Sequence, residues 1–153
     1  MRSHNNTTVQ GLRAVAVLLI VLFHFKIPFF GAGFLGVDIF YVLSGFIITT
    51  VYFDRLTNFQ DYAVFIKKRF HRLFPALFVV CSISFLFAFF ILSPDHLEAT
   101  ALHFISSLSF FSNIVYWKEQ SYFDIASEFK PLLHTWSLSL EWQFYLVMPI
   151  LLV

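Results

Sequence analysis

Residues 73–92, LFPALFVVCSISFLFAFFIL, carry no charged side chain. A stretch like this either crosses a lipid bilayer, which takes about 20 helical residues, or lies inside a core large enough to surround it. The chain has 153 residues, of which 59% are hydrophobic and 23 are Phe, with a mean hydropathy of +0.78. A soluble domain holds about 45–50% apolar residues. Too little polar surface remains here to wrap such a core, so the composition reads as a membrane protein. In hydrocarbon every backbone polar group must be satisfied within its own segment. The expected fold is therefore all-α, a polytopic transmembrane helix bundle.

Two other segments resemble the first. One runs from Leu12 to Phe30, and the other is FLGVDIFYVLSGFIITTVYF, residues 34–53, whose one formal charge is Asp38. The final stretch, PLLHTWSLSLEWQFYLVMPILLV, is apolar apart from His134 and Glu141 and reads as a further span. Residues 100–117 are only mildly apolar and rich in Ser. They suit a polar-faced span, a re-entrant segment or an interfacial helix. The count expected is four to five membrane segments.

Charge sets the orientation. Residues 54–72 hold half of all Lys and Arg: Arg55, Lys67, Lys68, Arg69 and Arg72. Basic loops stay in the cytoplasm. The amino terminus, with Arg2 and Arg13, then also lies there. KIPFFGAG, SPDHLEA and the slightly acidic stretch 118–130 fall outside. The first segment lacks a small-x-small cleavage site and is followed by more spans, so it reads as a retained helix. The net charge of +1 gives no basic field for nucleic acid. The single Cys81 forms no intrachain disulfide, and no Cys/His spacing suggests a metal. No charged tail follows Val153, and the chain is expected to be incomplete at its carboxyl end.

Ionisable residues inside spans cost at least ~2.5–3.5 kcal/mol on insertion scales and are functional candidates by default. Arg13 and His24 are separated by close to three helical turns, so they share a face and lie ~16 Å apart along the axis. With Arg13 at the cytoplasmic boundary, His24 falls near or beyond the bilayer middle, or approaches the outer interface. Histidine is the side chain best suited to move a proton near neutral pH. His134, Ser137 and Glu141 follow i, i+3, i+7 and share one face, as a functional group or a packing network. Asp38, Tyr41 and Gly45 do the same, and Ser44-Gly45 permits close helix approach. Arg69 and Arg72 lie one turn apart. They suit a phosphate clamp or ordinary topology-setting charge.

Together these stretches resemble the amino-terminal part of the acyltransferase family 3 membrane proteins, which acylate sugars of bacterial envelopes. The matching text is GLRAVAVLLIVLFHF, GFLGVDIFYVLSGFII, KKRFHRLFPAL and LLHTWSLSLEWQFYLVMPILL, in the family's order and spacing. The resemblance implies that residues 1–153 form the amino-terminal part of one membrane acyltransferase domain of about ten helices in the bacterial cytoplasmic membrane. Arg13 and His24 match its basic-x10-His motif, with His24 the catalytic histidine. Arg69 and Arg72 match its Arg-x-x-Arg motif, tied to the acyl-coenzyme A donor, expected to be acetyl-coenzyme A. Ser137 and Glu141 match Ser-x-x-x-Glu. Asp38, Ser44, Gly45 and Phe46 fall in its second-span signature. The chain departs from the family at Trp142, where Glu is common.

The implied reaction moves an acyl group from the thioester to a hydroxyl of an envelope carbohydrate. His24 acts as base or acyl relay, Glu141 orients it, and His134, Asp38, Ser44 and Ser137 support the site. Arg13, Arg69 and Arg72 hold the donor. No bound cofactor is expected, and the partners are the lipid bilayer, the donor and the acceptor. A proton-coupled transporter would also use intramembrane Arg, His, Asp and Glu, and an inactive membrane fragment is a third reading. A membrane-bound O-acyltransferase of the other major type would share an intramembrane His but brings none of these accompanying motifs.

Overall fold

A computed structural model describes residues 2–52, 56, 58–119 and 130–152. Among the described residues there are six α-helices and no strand: α1 (Arg2–His24), α2 (Gly36–Tyr52), α3 (Phe59–Ile91), α4 (Pro94–Leu108), α5 (Ser112–Glu119) and α6 (Thr135–Leu152). A 3-10 turn at Gly33–Leu35 leads into α2. The all-α architecture follows the composition. Among the described residues three helical stretches are long and apolar enough to cross a membrane: Thr7–His24, Gly33–Tyr52 and Phe59–Ile91. The sequence suggested four to five. The 15 residues of α4 reach only about 22 Å, α5 is shorter still, and the apolar run of α6 is broken by Glu141 and Gln143. The chain divides into two compact units, Met1–Leu56 with Leu152–Val153, and Thr57–Leu151.

In the first unit α1 and α2 pack through small residues. A methyl group at Gly33 would meet the carbonyl oxygen of Leu19 and lie 2.7 Å from Phe23 Cβ. One at Gly36 would meet the carbonyl oxygen of Ala16 and lie 2.7 Å from Ile20 Cγ1. Ala16 itself is fully buried. Two glycines one turn apart thus let the backbones approach, the usual solution where lipid removes the hydrophobic drive between helices. α1 closes in a Schellman motif, with Ile27 N–H bonded to Leu22 O at 3.1 Å and Lys26 N–H to Phe23 O at 2.9 Å. The left-handed position is taken by Lys26, at φ 53°, where glycine is usual.

The second unit is built on α3. Its 33 residues span about 50 Å, well beyond a ~30 Å hydrocarbon core. The basic stretch expected as a loop is therefore, from Phe59 onward, the first part of a helix. Asn58 caps it, its side chain accepting from the Asp61 N–H at 2.9 Å. Pro75 lies inside the helix, where its missing N–H leaves the His71 carbonyl without a backbone donor. Residues 53–55 and 57, and most of the acidic stretch 118–130, lie outside the described residues.

The mildly apolar segment 100–117 is neither one span nor one helix. It breaks at Ser109–Phe111 in a second Schellman motif, Phe111 N–H to Ser106 O at 2.8 Å and Phe110 N–H to Ser107 O at 3.0 Å. Phe110 takes the left-handed position at φ 58°. Its ring stacks on Trp142 at 4.9 Å, inside a cluster with Leu77, Cys81 and Leu132. Gln143 Nε2 donates to the Phe110 carbonyl at 3.0 Å. It exchanges a second, reciprocal amide pair with Asn113, also at 3.0 Å. Packing and hydrogen bonds together offset the strain of a bulky residue at positive φ.

Candidate functional site

In the first unit Arg13 and His24 share α1. His24 is its last residue and is exposed. The histidine therefore stands at the end of the span, beside the turn to α2, and not in mid-helix. Its Nδ1 lies 2.7 Å from the Ile20 carbonyl, which can only accept. Nδ1 must carry the proton, which makes Nε2 the basic nitrogen of the neutral ring. Phe23 meets the imidazole edge-on at 5.3 Å, steadying its plane. Arg13 is half-buried, and its Nε is buried without a hydrogen bond. Asp38 is exposed in the first turn of α2, and Ser44 is buried on the same helix.

In the second unit the structure joins two of the motifs. Arg69 lies on α3 and Glu141 on α6, and Tyr145 connects them. The Arg69 guanidinium carbon is 5.0 Å from the Tyr145 ring centroid and 5.3 Å from that of Phe65. The Tyr145 hydroxyl donates to Glu141 Oε1. Arg72 is exposed, which leaves its charge open to a soluble anion. His134 precedes α6 and is exposed, and the Ser137 hydroxyl donates to the His134 carbonyl at 3.0 Å. Trp142 packs edge-on to Phe70 at 5.7 Å besides stacking on Phe110. It belongs to the core cluster.

A further polar group escaped the sequence. His103 on α4 is 1% exposed. Its Nε2 lies 2.9 Å from both carboxylate oxygens of Glu119. Lys130 Nζ, also buried, reaches Glu119 Oε2 at 3.1 Å. The Tyr116 ring packs on His103 at 4.6 Å. Burial, and then the nearby Glu119 charge, push the Tyr116 phenol well above its ordinary range. Beneath lie hydroxyl contacts from Ser107 to Thr135 at 2.7 Å, Thr135 to Ser112 at 3.0 Å and Ser112 to Ser139 at 2.8 Å. The Ser-rich character of 100–117 was the available signal. It marks the face on which α4 and α5 meet α6.

A motif order and helix placement of this kind define a class. The family model described as an acyltransferase domain matches residues 6–153, and the chain belongs to that family, acyltransferase family 3. The chain is 35% identical over 151 residues to the peptidoglycan O-acetyltransferase OatA of Listeria monocytogenes, covering 95% of this chain and 24% of that protein. It is 36% identical over 149 residues to the O-acetyltransferase OatA of Staphylococcus aureus, covering 94% of this chain and 24% of the relative. The chain thus spans about a quarter of the length of the curated relatives it matches. No solved structure matches.

Proposed function

We propose that this chain is the motif-bearing part of an integral-membrane O-acyltransferase. It moves an acyl group, acetyl in the first instance, from acyl-coenzyme A to a hydroxyl of an envelope carbohydrate. Peptidoglycan is the acceptor to try first, because one relative carries that substrate in its name. The observation that carries the reading is the match through residues 6–153, which takes in the Arg13–His24, Arg69–Arg72 and Ser137–Glu141 motifs together. The site sits in the bacterial cytoplasmic membrane with the amino terminus inside, as the basic start of α3 favours.

The donor is already activated as a thioester, so the acceptor mainly needs a base. His24 Nε2 takes the proton from the acceptor hydroxyl as its oxygen attacks the thioester carbon. The C–S bond breaks, and the coenzyme A thiolate leaves and collects a proton. An acyl group carried briefly on His24 is the variant route. Glu141 orients the histidine or stabilises its charged form. Arg72, Arg69 and Arg13 bind the phosphates of the donor, and Asp38, Ser44, Ser137 and His134 support the site.

The experiment is transfer of a labelled acetyl group from acetyl-coenzyme A by the full-length protein in membranes. His24→Ala and Glu141→Ala are expected to abolish transfer. Normal transfer in both variants would sink the assignment.

A further inference from the structure

Tyr145 belongs to neither the catalytic nor the donor-binding residues, yet it touches one of each. It is 2% exposed. It follows Glu141 by one turn of α6, which is why its hydroxyl reaches that carboxylate. Its ring lies beneath the Arg69 guanidinium and meets Phe65 edge-on at 6.2 Å and 86°. Two turns before Arg69, the Tyr62 hydroxyl donates to the Leu146 carbonyl at 3.0 Å. Tyr62, Phe65 and Arg69 form one stripe of α3, and that bond fixes the stripe along α6.

The two contacts of Tyr145 strengthen each other. A phenol that donates to a carboxylate gains electron density in its ring, which deepens the negative face that a guanidinium seeks. A cation over that face withdraws density and makes the O–H a better donor. Leu or Phe would fill the same buried slot, but neither would join Arg69 to Glu141.

We propose that Tyr145 is a positioning residue that couples Arg69 to Glu141, so that the carboxylate is set by whether Arg69 holds the donor. The inference rests on the acyl-transfer reading. A donor phosphate on Arg69 fixes the guanidinium and with it the ring beneath, and the Tyr145 hydroxyl then holds Glu141 in its working orientation.

The test is steady-state acetyl transfer by the full-length protein, normalised to folded protein, for wild type, Tyr145→Phe, Arg69→Lys and the double variant. Tyr145→Phe keeps the ring and removes only the hydroxyl. Its kcat is expected to fall about tenfold or more, with the KM for the donor within about twofold of wild type. The double variant is expected to lose less than the product of the two single losses, the mark of coupled residues. A merely structural Tyr145 would lower the yield of folded protein and leave kcat alone. Wild-type kcat in Tyr145→Phe, or losses that multiply in the double variant, overturns the coupling while the transfer reading stands. A wild type that transfers nothing overturns that reading and the coupling with it.

Discussion

His103 Nε2 faces both oxygens of Glu119 at 2.9 Å, across 16 residues of chain. The contact folds α5 back onto α4, and Lys130, 11 residues further along the chain, reaches the same carboxylate. Removing one partner of a buried charge pair costs about 3–5 kcal/mol. Glu119 keeps a quarter of its surface in solvent, so Glu119→Ala is expected to lose less than that, about 2 kcal/mol. Glu119→Gln, which still offers an acceptor to His103, is expected to lose less again. Thermal unfolding in detergent checks this, and an unchanged Tm for Glu119→Ala would contradict it.

The glycines of the first unit divide into two kinds. Gly33→Ala and Gly36→Ala each drive a methyl group into a backbone carbonyl of α1, which cannot swing aside as a side chain would. Each is expected to separate the helices and sharply reduce the folded yield. Gly11 lies in a helix, and a methyl group there would have nothing within 4 Å. Gly11→Ala is therefore expected to gain about 0.5–1 kcal/mol from lower chain entropy. Comparing the three variants by size-exclusion profile and Tm separates close approach from simple helix propensity. Equal behaviour of all three would refute the distinction.

The difference between what was and was not legible in the sequence has a physical origin. The spans of α1, α2 and α3 follow from local apolar length, and the candidate residues Arg13, His24, Arg69, Arg72 and Glu141 sit in motifs contiguous in the chain. Hydropathy registers only the part of α3 that lipid would surround, so its basic first turns looked like a loop. The ends of α1 and α4 were hidden because Lys26 and Phe110 occupy positions where glycine normally announces a stop. Tyr145 and the His103–Glu119–Lys130 group depend on residues far apart in sequence, and no local periodicity encodes such pairings. The sequence singled out His134 just before α6 and Ser137 and Glu141 on it, whereas the residues that meet α4 and α5 are Thr135, Ser139 and Gln143.

Trp142 supports the turn between α4 and α5. Its ring holds Phe110 in the left-handed conformation by stacking at 4.9 Å, with Phe70 edge-on at 5.7 Å. Trp142→Glu would set a carboxylate against the negative face of the Phe110 ring and remove the stack. A loss of about 3 kcal/mol or more is expected, while Trp142→Phe retains most of the stability. Thermal unfolding decides between them. A Trp142→Glu protein as stable as wild type would show that Phe110 does not need the indole.

Arg69 and Arg72 share a motif but not an environment, and that should separate their kinetics. Arg72 is exposed, so removing its guanidinium costs the fold little. Losing a hydrogen bond to a charged group costs about 1.5–3 kcal/mol, so Arg72→Ala is expected to raise the donor KM about tenfold or more. Its Tm should stay at the wild-type value. Arg69 also stacks on Phe65 and Tyr145, and Arg69→Ala is expected to lower Tm as well as raise KM. Rising ionic strength should weaken donor binding in wild type and less so in Arg72→Ala, because a screened contact already lost has nothing further to lose. Identical salt dependence in the two proteins would show that Arg72 makes no contact with the phosphates.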